Sequence, residues 1–427
     1  MPILPQAPPA GRLLIRSRIV LPVSQPPIED GAVLIAGSHF AAVGPWKDLA
    51  TSDADTLDLG DSIVMPGLVN AHCHLDYTRM AGLLPPQKLF TDWIKLMLAA
   101  KAEWAYSDFA ESWLTGAKML LRTGTTTVAD IEAVPELLPE VWTATPLRVI
   151  SLIEMTGVRC RRNPHLVLEE ALRCIEALPN GRCRAGLSPH APYSTMPELV
   201  RLSARTARER QWPLAIHVSE SDLEFEMFTR ARGEMFHWLR RNERDMSDCG
   251  LGSPVRHLER CDGLTENLLA VHVNYLARGD AQILAKHHVS VVHCPRSHAY
   301  FRHRAFPYER LARAGVNVCL GSDSLATVLR PRREDIRLNM FDEMRAFAKA
   351  HPRVAASRIL NMATRHGARA LGLAGKIGEL SPGAHADLIA IPFRDGKSEA
   401  VRAVIEHEGD VSASMIDGEW AIAPGTR

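Results

Sequence analysis

The chain has 427 residues, of which 46% are hydrophobic and 23% are charged, a composition typical of a globular protein with one large and one small domain. Its 50 Lys and Arg residues nearly balance 49 Asp and Glu residues, and the formal net charge is +1. This balance gives no electrostatic argument for a nucleic-acid or membrane-surface partner. The sequence also lacks an apolar run of the roughly 18 residues that a membrane span needs. The N-terminus does not have the pattern of a signal peptide. Eight cysteines without a CxxC pair indicate reduced thiols, so we expect a cytoplasmic protein.

The two ends of the chain share one pattern. From residue 13 to about residue 64, short β-branched runs are broken by Gly, Pro and Asp, which is typical of strands and turns. The C-terminal segment, with HADLIAI and VSASMIDGEW, has the same character. We therefore predict one small β-sandwich domain assembled from residues 1–66 and 377–427.

The middle of the chain alternates between predicted strands and predicted helices. Apolar runs such as PLAIHVSE and VSVVHCPRS are separated by helical stretches, for example 108–122 and 196–211. Repeated strand–helix units predict an α/β fold with a parallel sheet. With LVNAHCH as the first strand we count eight, which fits a (β/α)8 TIM barrel over residues 67–376. Periodicity alone leaves a doubly wound open sheet as the alternative.

Polar residues with metal-binding or proton-handling side chains end nearly every predicted barrel strand. His72 and His74 end the first strand and, two residues apart, point to the same side. The later strand ends carry His190, His217, His272, His293 and Asp323. A single histidine at a strand end is more often structural than functional. Because barrel active sites collect at the carboxyl ends of the strands, the whole set predicts an active site.

Zinc favours histidine nitrogen and carboxylate oxygen as ligands, and a catalytic site leaves one position for water. His72, His74, His217 and Asp323 are the candidate ligands, whereas Cys73 points to the opposite side of its strand. Glu220 follows His217 by three residues. Glu220 either stands near the start of a helix that Ser219 caps, or donates and accepts protons beside the metal. We favour the second interpretation.

The order of the motifs HxH, SPHAPYS, IHVSE, VHVNYL, HCPRS and GSDS resembles the amidohydrolase superfamily. More narrowly, it is similar to the branch of zinc-dependent deaminases and chlorohydrolases, and the resemblance extends over residues 13–391. It implies one metal ion per chain, because the fourth strand ends in His190 where relatives with two metals carry a bridging lysine.

The resemblance also implies a role for each residue. His72, His74, His217 and Asp323 match the metal ligands. Glu220 matches the carboxylate that moves protons to a ring nitrogen, and His272 matches the histidine that, with Asp323, assists the water or the leaving group. His190 matches a histidine that contacts the substrate. The implied reaction is hydrolytic release of ammonia from an amino-substituted heterocycle, a small-molecule substrate. The implied metal is Zn²⁺, with Fe²⁺ as the alternative, and the implied assembly is a homodimer.

For the substrate, HCHLDYT, LFTDWIKLML and LIEMTG most resemble the aminodeoxyfutalosine deaminases of menaquinone synthesis, which act on a 6-aminopurine nucleoside-like compound. Adenosine or S-adenosylhomocysteine, guanine-type bases and halogenated triazines are the alternatives. A metal-free scaffold protein is a further alternative, although such a protein would have lost ligands that are all present here.

Two further groups are expected to contact the substrate. Trp93 follows the first strand and is predicted to cover the substrate, whereas Phe90 is predicted to pack against the barrel wall. Arg296, or one of Arg159, Arg161 and Arg162 in the loop GVRCRRNP, is predicted to bind a carboxylate at the far end of the substrate, with Arg159 as the candidate in that loop.

Overall fold

A computed structural model describes residues 11–157, 163–179, 181–329 and 336–425. Eight parallel strands neighbour one another in chain order and form the barrel. They are β6 (Leu68–Cys73), β7 (Thr125–Glu132), β8 (Arg148–Met155), β9 (Arg184–Pro189), β10 (Leu214–Val218), β11 (Leu268–His272), β12 (Ser290–His293) and β13 (Asn317–Leu320). The predicted eight-stranded (β/α)8 barrel is confirmed.

The first and last barrel strands meet at their carboxyl ends. The Ser322 N–H donates to the carbonyl oxygen of His72 over 3.0 Å, and Cys73 forms a parallel bridge with Asp323. This contact brings the ends of β6 and β13 together, which is where the sequence places two histidines and an aspartate.

A second, mixed sheet is built from both ends of the chain. Its strands are β1 (Arg12–Val20), β2 (Ile28–Ala36), β3 (His39–Pro45), β4 (Asp55–Asp58), β5 (Ser62–Pro66), β14 (Leu388–Pro392), β15 (Ala413–Ile416) and β16 (Glu419–Ile422). Their order is β16-β15-β14-β5-β1-β2-β3, and β4 pairs with β1. The small sheet domain from the two chain ends is confirmed, with its strands joined in one continuous sheet. The exact domain boundaries stay a prediction.

Helices connect the strands. They are α1 (Trp46–Leu49), α2 (Phe90–Ala102), α3 (Tyr106–Arg122), α4 (Leu138–Thr143), α5 (Pro164–Glu176), α6 (Pro197–Arg210), α7 (Asp222–Arg230), α8 (Glu234–Arg241), α9 (Pro254–Arg260), α10 (Asp280–Lys286), α11 (Pro295–Tyr300), α12 (Tyr308–Arg313), α13 (Met340–Ala350), α14 (Ala356–Met362), α15 (Arg365–Ala370) and α16 (Ala400–Glu406). Helix α3 begins two residues before the predicted start, because the Asp108 side chain accepts a hydrogen bond from the N–H of Ala105 over 3.0 Å.

Buried ion pairs link the barrel to the small domain. The Arg148 guanidinium, at the start of β8, lies 3.3 Å from a carboxylate oxygen of Asp387 and 2.6 Å from one of Asp417. Asp387 directly precedes β14 and is 2% exposed, and Arg148 is 6% exposed, so the two units meet through largely buried charged groups.

Two predicted properties of the chain can be compared with the structure. Across residues 11–157, 163–179, 181–329 and 336–425, no helix is both long enough and apolar enough to cross a membrane. The seven cysteines in these ranges carry free thiols, which agrees with the expected reduced state.

Candidate active site

Six polar side chains from four strand ends converge inside the mouth of the barrel. All are at most 7% exposed to solvent: His72, His74, His217, Glu220, His272 and Asp323. These residues form three overlapping groups of three. In each group, one nitrogen or oxygen atom from each residue lies within 4.8 Å of the corresponding atoms of the other two residues. Buried clusters of imidazole and carboxylate are costly unless the groups bind each other or an ion, so this convergence needs a chemical reason.

The shortest contact in the cluster joins two imidazoles. Nε2 of His74 lies 3.4 Å from Nε2 of His217. Asp323 faces the same point, with its Oδ1 3.7 Å from Nε2 of His72 and 3.8 Å from Nε2 of His74. Three imidazole nitrogens and one carboxylate oxygen therefore border one small space, as the sequence analysis expects for the four candidate ligands.

The imidazole rings of His217 and His72 have nitrogen lone pairs that are available to bind a metal ion. Nδ1 of His217 lies 2.9 Å from the carbonyl oxygen of His190, which can only accept, so Nδ1 carries the hydrogen and Nε2 presents a lone pair toward His74. Both ring nitrogens of His72 are buried and have no hydrogen-bond partner among the described residues. A divalent cation bound by these lone pairs would satisfy atoms that are otherwise unpaired.

The pKa shifts point to the same charge state. Burial, and then the neighbouring imidazoles, lower the pKa values of His74 and His217 well below their usual range, so both rings are neutral near pH 7. Burial alone would raise the pKa of Asp323, but the surrounding histidines, His72 first, outweigh it and lower that pKa overall. Neutral imidazoles and an ionised carboxylate are the forms that bind a metal cation.

The backbone beneath the ligands is closely packed. Nδ2 of Asn70 donates to Oγ of Ser322 over 2.7 Å, and Oδ1 of Asn70 accepts from the Ser322 N–H over 3.0 Å. These bonds join β6 to the segment that follows β13. A Cβ on Gly321 would lie 2.8 Å from Cβ of His72 and 2.8 Å from its carbonyl oxygen. Glycine at this position therefore permits the close approach of the two strand ends.

Four non-glycine residues at these strand ends have positive φ angles. They are Ser219 at 50°, His272 at 72°, Val273 at 51° and Asp323 at 55°. Such angles are uncommon for residues with a side chain and cluster at functional sites. Here they direct the chain out of the strand while His272 and Asp323 point into the cluster.

Glu220 lies beside the candidate ligands rather than among the contacts of His74 and His217. Its Oε1 is 3.6 Å from Nε2 of His272. Burial, then the charges of Asp323 and Glu224, raise the pKa of Glu220 well above its usual range. Burial lowers the pKa of His272 to about 3. A carboxyl group that holds its proton beside an imidazole that stays neutral has the chemistry of a proton donor and acceptor pair.

The loop that carries Glu220 is fixed by Glu224. The Glu224 carboxylate accepts from the N–H of Ser219 over 3.1 Å and from the N–H of Glu220 over 2.9 Å. The suggested Ser219 cap was wrong: Ser221 caps helix α7, and its Oγ accepts from the N–H of Glu224 over 3.2 Å. Ser219 cannot occupy that position because the helix begins three residues later, at Asp222.

A cavity of about 250 Å³ opens directly onto the cluster. Helix α2 forms one wall with Phe90, Trp93, Ile94, Met97 and Lys101. The opposite wall includes His190, Tyr193 and Trp238. The predicted substrate residues His190 and Trp93 therefore both line the cavity. Phe90 is buried and packs against Tyr193 and Phe301, but it also faces the cavity.

Of the other two predicted substrate residues, the structure describes only Arg296, which does not line this cavity. Arg296 is held by Glu343, with Nε 2.5 Å from Oε1, and by Asp342, with Nη1 3.3 Å from Oδ2. Its guanidinium thus already has two carboxylate partners behind the barrel wall. Arg159 lies outside the described residues. His293 stacks on Phe306 with ring centroids 3.7 Å apart and does not line the cavity.

Sequence reasoning missed two charged residues of the cavity wall, Lys101 and Glu154. Glu154 stands in LIEMTG at the end of β8, and its position at a strand end was the available signal. Lys101 is eight residues after Trp93 and lies on the same face of α2. This relation could be recognised only once the helix was known to extend from Phe90 to Ala102.

Comparisons with known proteins agree with this fold. The model of the Amidohydrolase family matches residues 63–421. A protein of Syntrophobacter fumaroxidans named 5-methylthioadenosine/S-adenosylhomocysteine deaminase is 32% identical over 416 residues, which cover 91% of this chain and 87% of that protein.

Two solved structures share the fold. An adenosine deaminase from Xanthomonas campestris with bound zinc has a TM-score of 0.81 at 24% identity and covers 96% of this chain and 92% of its own. The Helicobacter pylori aminofutalosine deaminase in complex with methylthio-coformycin has a TM-score of 0.82 at 22% identity, and the match covers 95% of this chain and 99% of that chain. The match to the family model and the similarity to the Syntrophobacter protein lead to one conclusion: this chain is an enzyme of the amidohydrolase family.

Proposed function

We propose that this enzyme is a zinc-dependent deaminase that releases ammonia from the 6-amino group of a purine nucleoside. The observation that carries the proposal is the placement of Glu220 and His272, 3.6 Å apart, beside four candidate metal ligands and at the inner end of an aromatic-lined cavity. A purine ring can enter between the aromatic side chains of α2 and those opposite, with its amino group toward the cluster.

His72, His74, His217 and Asp323 are the residues that would hold the metal. When bound there, zinc supplies a Lewis acid that lowers the pKa of water to near 7 and so makes a nucleophile available at neutral pH. Fe²⁺ suits the same nitrogen and oxygen donors, so metal analysis decides between the two ions.

Three residues handle the protons. Glu220, protonated because its pKa is raised, donates to a ring nitrogen of the purine and thereby makes the neighbouring carbon more electrophilic. His272 and the ionised Asp323 accept the proton that water gives up on attack. The departing amine then needs a proton, which Glu220 can deliver once it has been reprotonated from the cluster.

The 6-aminopurine class is supported by the name of the Syntrophobacter relative, which is 32% identical over most of the chain. The more specific assignments, aminodeoxyfutalosine as the substrate and a place in menaquinone synthesis, rest on motif resemblance and remain predictions. The substrate contacts of His190 and Trp93, the cytoplasmic location and the homodimer belong to the same proposal.

The direct test is ammonia release from a panel of compounds by the purified, zinc-loaded protein. The panel contains 5′-methylthioadenosine, S-adenosylhomocysteine, adenosine, aminodeoxyfutalosine, guanine and a chlorinated triazine. We expect ammonia from the 6-aminopurine nucleosides and neither ammonia from guanine nor chloride from the triazine at a comparable kcat/KM. Turnover of guanine or the triazine alone would replace the proposed substrate class. Turnover of no compound by fully metal-loaded protein would favour the scaffold alternative.

A further inference from the structure

The cavity wall opposite α2 is made of two segments that are not adjacent in the chain. The loop after β9 contributes His190 and Tyr193, and helix α8 contributes Trp238 and Leu239. The ring of Tyr193 is perpendicular to the ring of His190, with centroids 5.7 Å apart, and perpendicular to the ring of Phe90 at 6.4 Å. The width of the cavity therefore depends on how the loop and α8 are held together.

Arg244 joins these two segments. It lies three residues after α8 ends at Arg241, and its backbone N–H donates to the carbonyl oxygen of Leu239 over 3.1 Å. Its Nε donates to the carbonyl oxygen of Tyr193 over 3.0 Å, and its Nη2 donates to that of Pro192 over 2.9 Å. The guanidinium thus binds the loop after β9, while the backbone of the same residue is bonded to the last turn of α8.

The other donors of the Arg244 side chain bind the segment that follows. Nη1 and Nη2 donate to the two carboxylate oxygens of Asp248 over 2.7 and 2.8 Å, and Nη1 also donates to the carbonyl oxygen of Asp245 over 2.7 Å. A guanidinium has five N–H donors in a planar fork, and here each of them has an acceptor. The side chain is 0% exposed, so its hydrogen bonds hold the wall together and are not available to a ligand.

The start of the same loop is held without Arg244. The His190 N–H donates to the carbonyl oxygen of Met155 over 3.0 Å, and the His190 carbonyl oxygen accepts from the N–H of His217 over 2.8 Å. Neighbouring strands thus fix the part of the loop beside the candidate metal ligands. Arg244 binds the loop two and three residues later, so loss of its contacts should displace Tyr193 and leave the metal site in place.

We propose that Arg244 is a positioning residue for substrate binding, which keeps Tyr193 and α8 at the distance from α2 that a flat ring requires. The inference rests on the proposed deaminase function and adds a residue that determines how tightly the substrate is held. In the described part of the chain, the guanidinium of Arg244 forms no hydrogen bond or ion pair with the six cluster residues. Its loss should therefore weaken substrate binding more than it slows the chemical step.

Two substitutions distinguish this role from a contribution to stability alone. Arg244→Lys keeps a positive charge beside Asp248 but loses the fork that reaches both carbonyl oxygens, whereas Arg244→Met removes the charge as well. The free energy of unfolding should therefore be closer to that of the wild type in Arg244→Lys than in Arg244→Met. The KM for adenosine should instead rise roughly tenfold or more in both variants, with kcat within about threefold of the wild-type value and the metal content unchanged.

Arg241→Lys is the matched control, because Arg241 is exposed at the end of α8. It should keep the wild-type KM. A wild-type KM in the folded Arg244→Lys protein would overturn the inference, since Arg244 would then contribute to stability only. A lower kcat at unchanged KM would also overturn it, because the effect of Arg244 would then fall on the chemical step.

Calorimetry with adenosine separates this inference from the proposed function. If the zinc-loaded wild-type protein bound adenosine but released no ammonia from it, the deaminase proposal would fail, and the Kd for adenosine would take the place of KM. A Kd that is about tenfold higher in Arg244→Lys than in the wild type would support the positioning role. Equal Kd values in the two proteins would contradict it.

Discussion

Glu220 is proposed to carry protons and not to bind the metal ion. Its carboxyl group lies 3.6 Å from His272, and burial raises its pKa well above the usual range, which favours the protonated form of the group. The proposed metal ligands are instead His72, His74, His217 and Asp323, whose nitrogen and oxygen atoms face one another. The two roles predict different consequences of substitution.

Glu220→Gln is expected to keep the bound metal and to lower kcat by roughly 10²–10⁴-fold, because the amide has the same shape but cannot relay a proton. Metal content by mass spectrometry and ammonia release, measured on the same preparation, check the expectation. Glu209→Gln, on the exposed side of α6, serves as the matched control. If Glu220→Gln lost its metal and regained activity when metal was added back, Glu220 would be a structural support for the site instead.

For single residues, the sequence was most informative where strand geometry fixes the direction of a side chain. His72 and His74 are two residues apart on one strand, so their shared direction follows from the alternation of side chains. The ends of parallel strands meet at one edge, which brings His217, His272 and Asp323 to the same place. Glu224, which fixes the loop of Glu220, stands in the first turn of α7. Its role was missed because the course of the backbone between β10 and α7, which turns its carboxylate toward the N–H groups of Ser219 and Glu220, is not evident from the sequence.

At the scale of elements, the meeting of β6 with the end of β13 positions the ligands. Asn70 and Ser322 join the two strand ends by hydrogen bonds, and Gly321 leaves room for His72 to approach. Helix α2 closes the cavity from the side with an aromatic face. The existence of both strands was evident from their apolar runs, whereas the face of α2 that meets the cavity was not, because both sides of the helix carry apolar residues.

Gly321→Ala is expected to destabilise the protein by about 1–3 kcal/mol and to weaken metal binding, because the added methyl group would overlap the backbone and Cβ of His72. The free energy of unfolding, from denaturant titration, and the metal content check both parts. Gly396→Ala is the control, since no atom lies within 4 Å of its Cβ position and its φ of −79° suits alanine. A Gly321→Ala protein with unchanged stability and metal content would show that the strand ends can separate without loss of the site.

At the scale of the whole molecule, the small sheet domain supports the barrel from the side of β8. Arg148 joins the barrel to Asp387 and Asp417 in a buried cluster of charges. The sequence predicted that both chain ends form one small domain, because both are rich in short strands. It did not predict this ion-pair cluster, since Arg148 and Asp387 are 239 residues apart and neither stands in a recognisable motif.

Asp387→Ala is expected to lower the free energy of unfolding by about 1–3 kcal/mol, because the substitution removes one of the two carboxylate partners of the buried Arg148 guanidinium and the acceptor of the Asp417 N–H. The folded fraction should still bind metal, since none of the ligands belongs to the small domain. Denaturant titration and metal analysis of the folded protein check these two statements. Asp395→Ala, on the exposed segment after β14, is the control. Unchanged stability of the Asp387→Ala protein would mean that the barrel does not depend on this contact.

The central claim is that one metal ion held by His72, His74, His217 and Asp323 supports deamination by this chain. Titration of Zn²⁺ into metal-depleted protein, with ammonia release from S-adenosylhomocysteine and 5′-methylthioadenosine measured at each step, tests it most directly. The rate should rise in proportion to added metal and reach its plateau at one equivalent per chain, and His217→Ala should show neither binding nor activity. Full activity of the metal-depleted protein, or of metal-free His217→Ala, would contradict the claim.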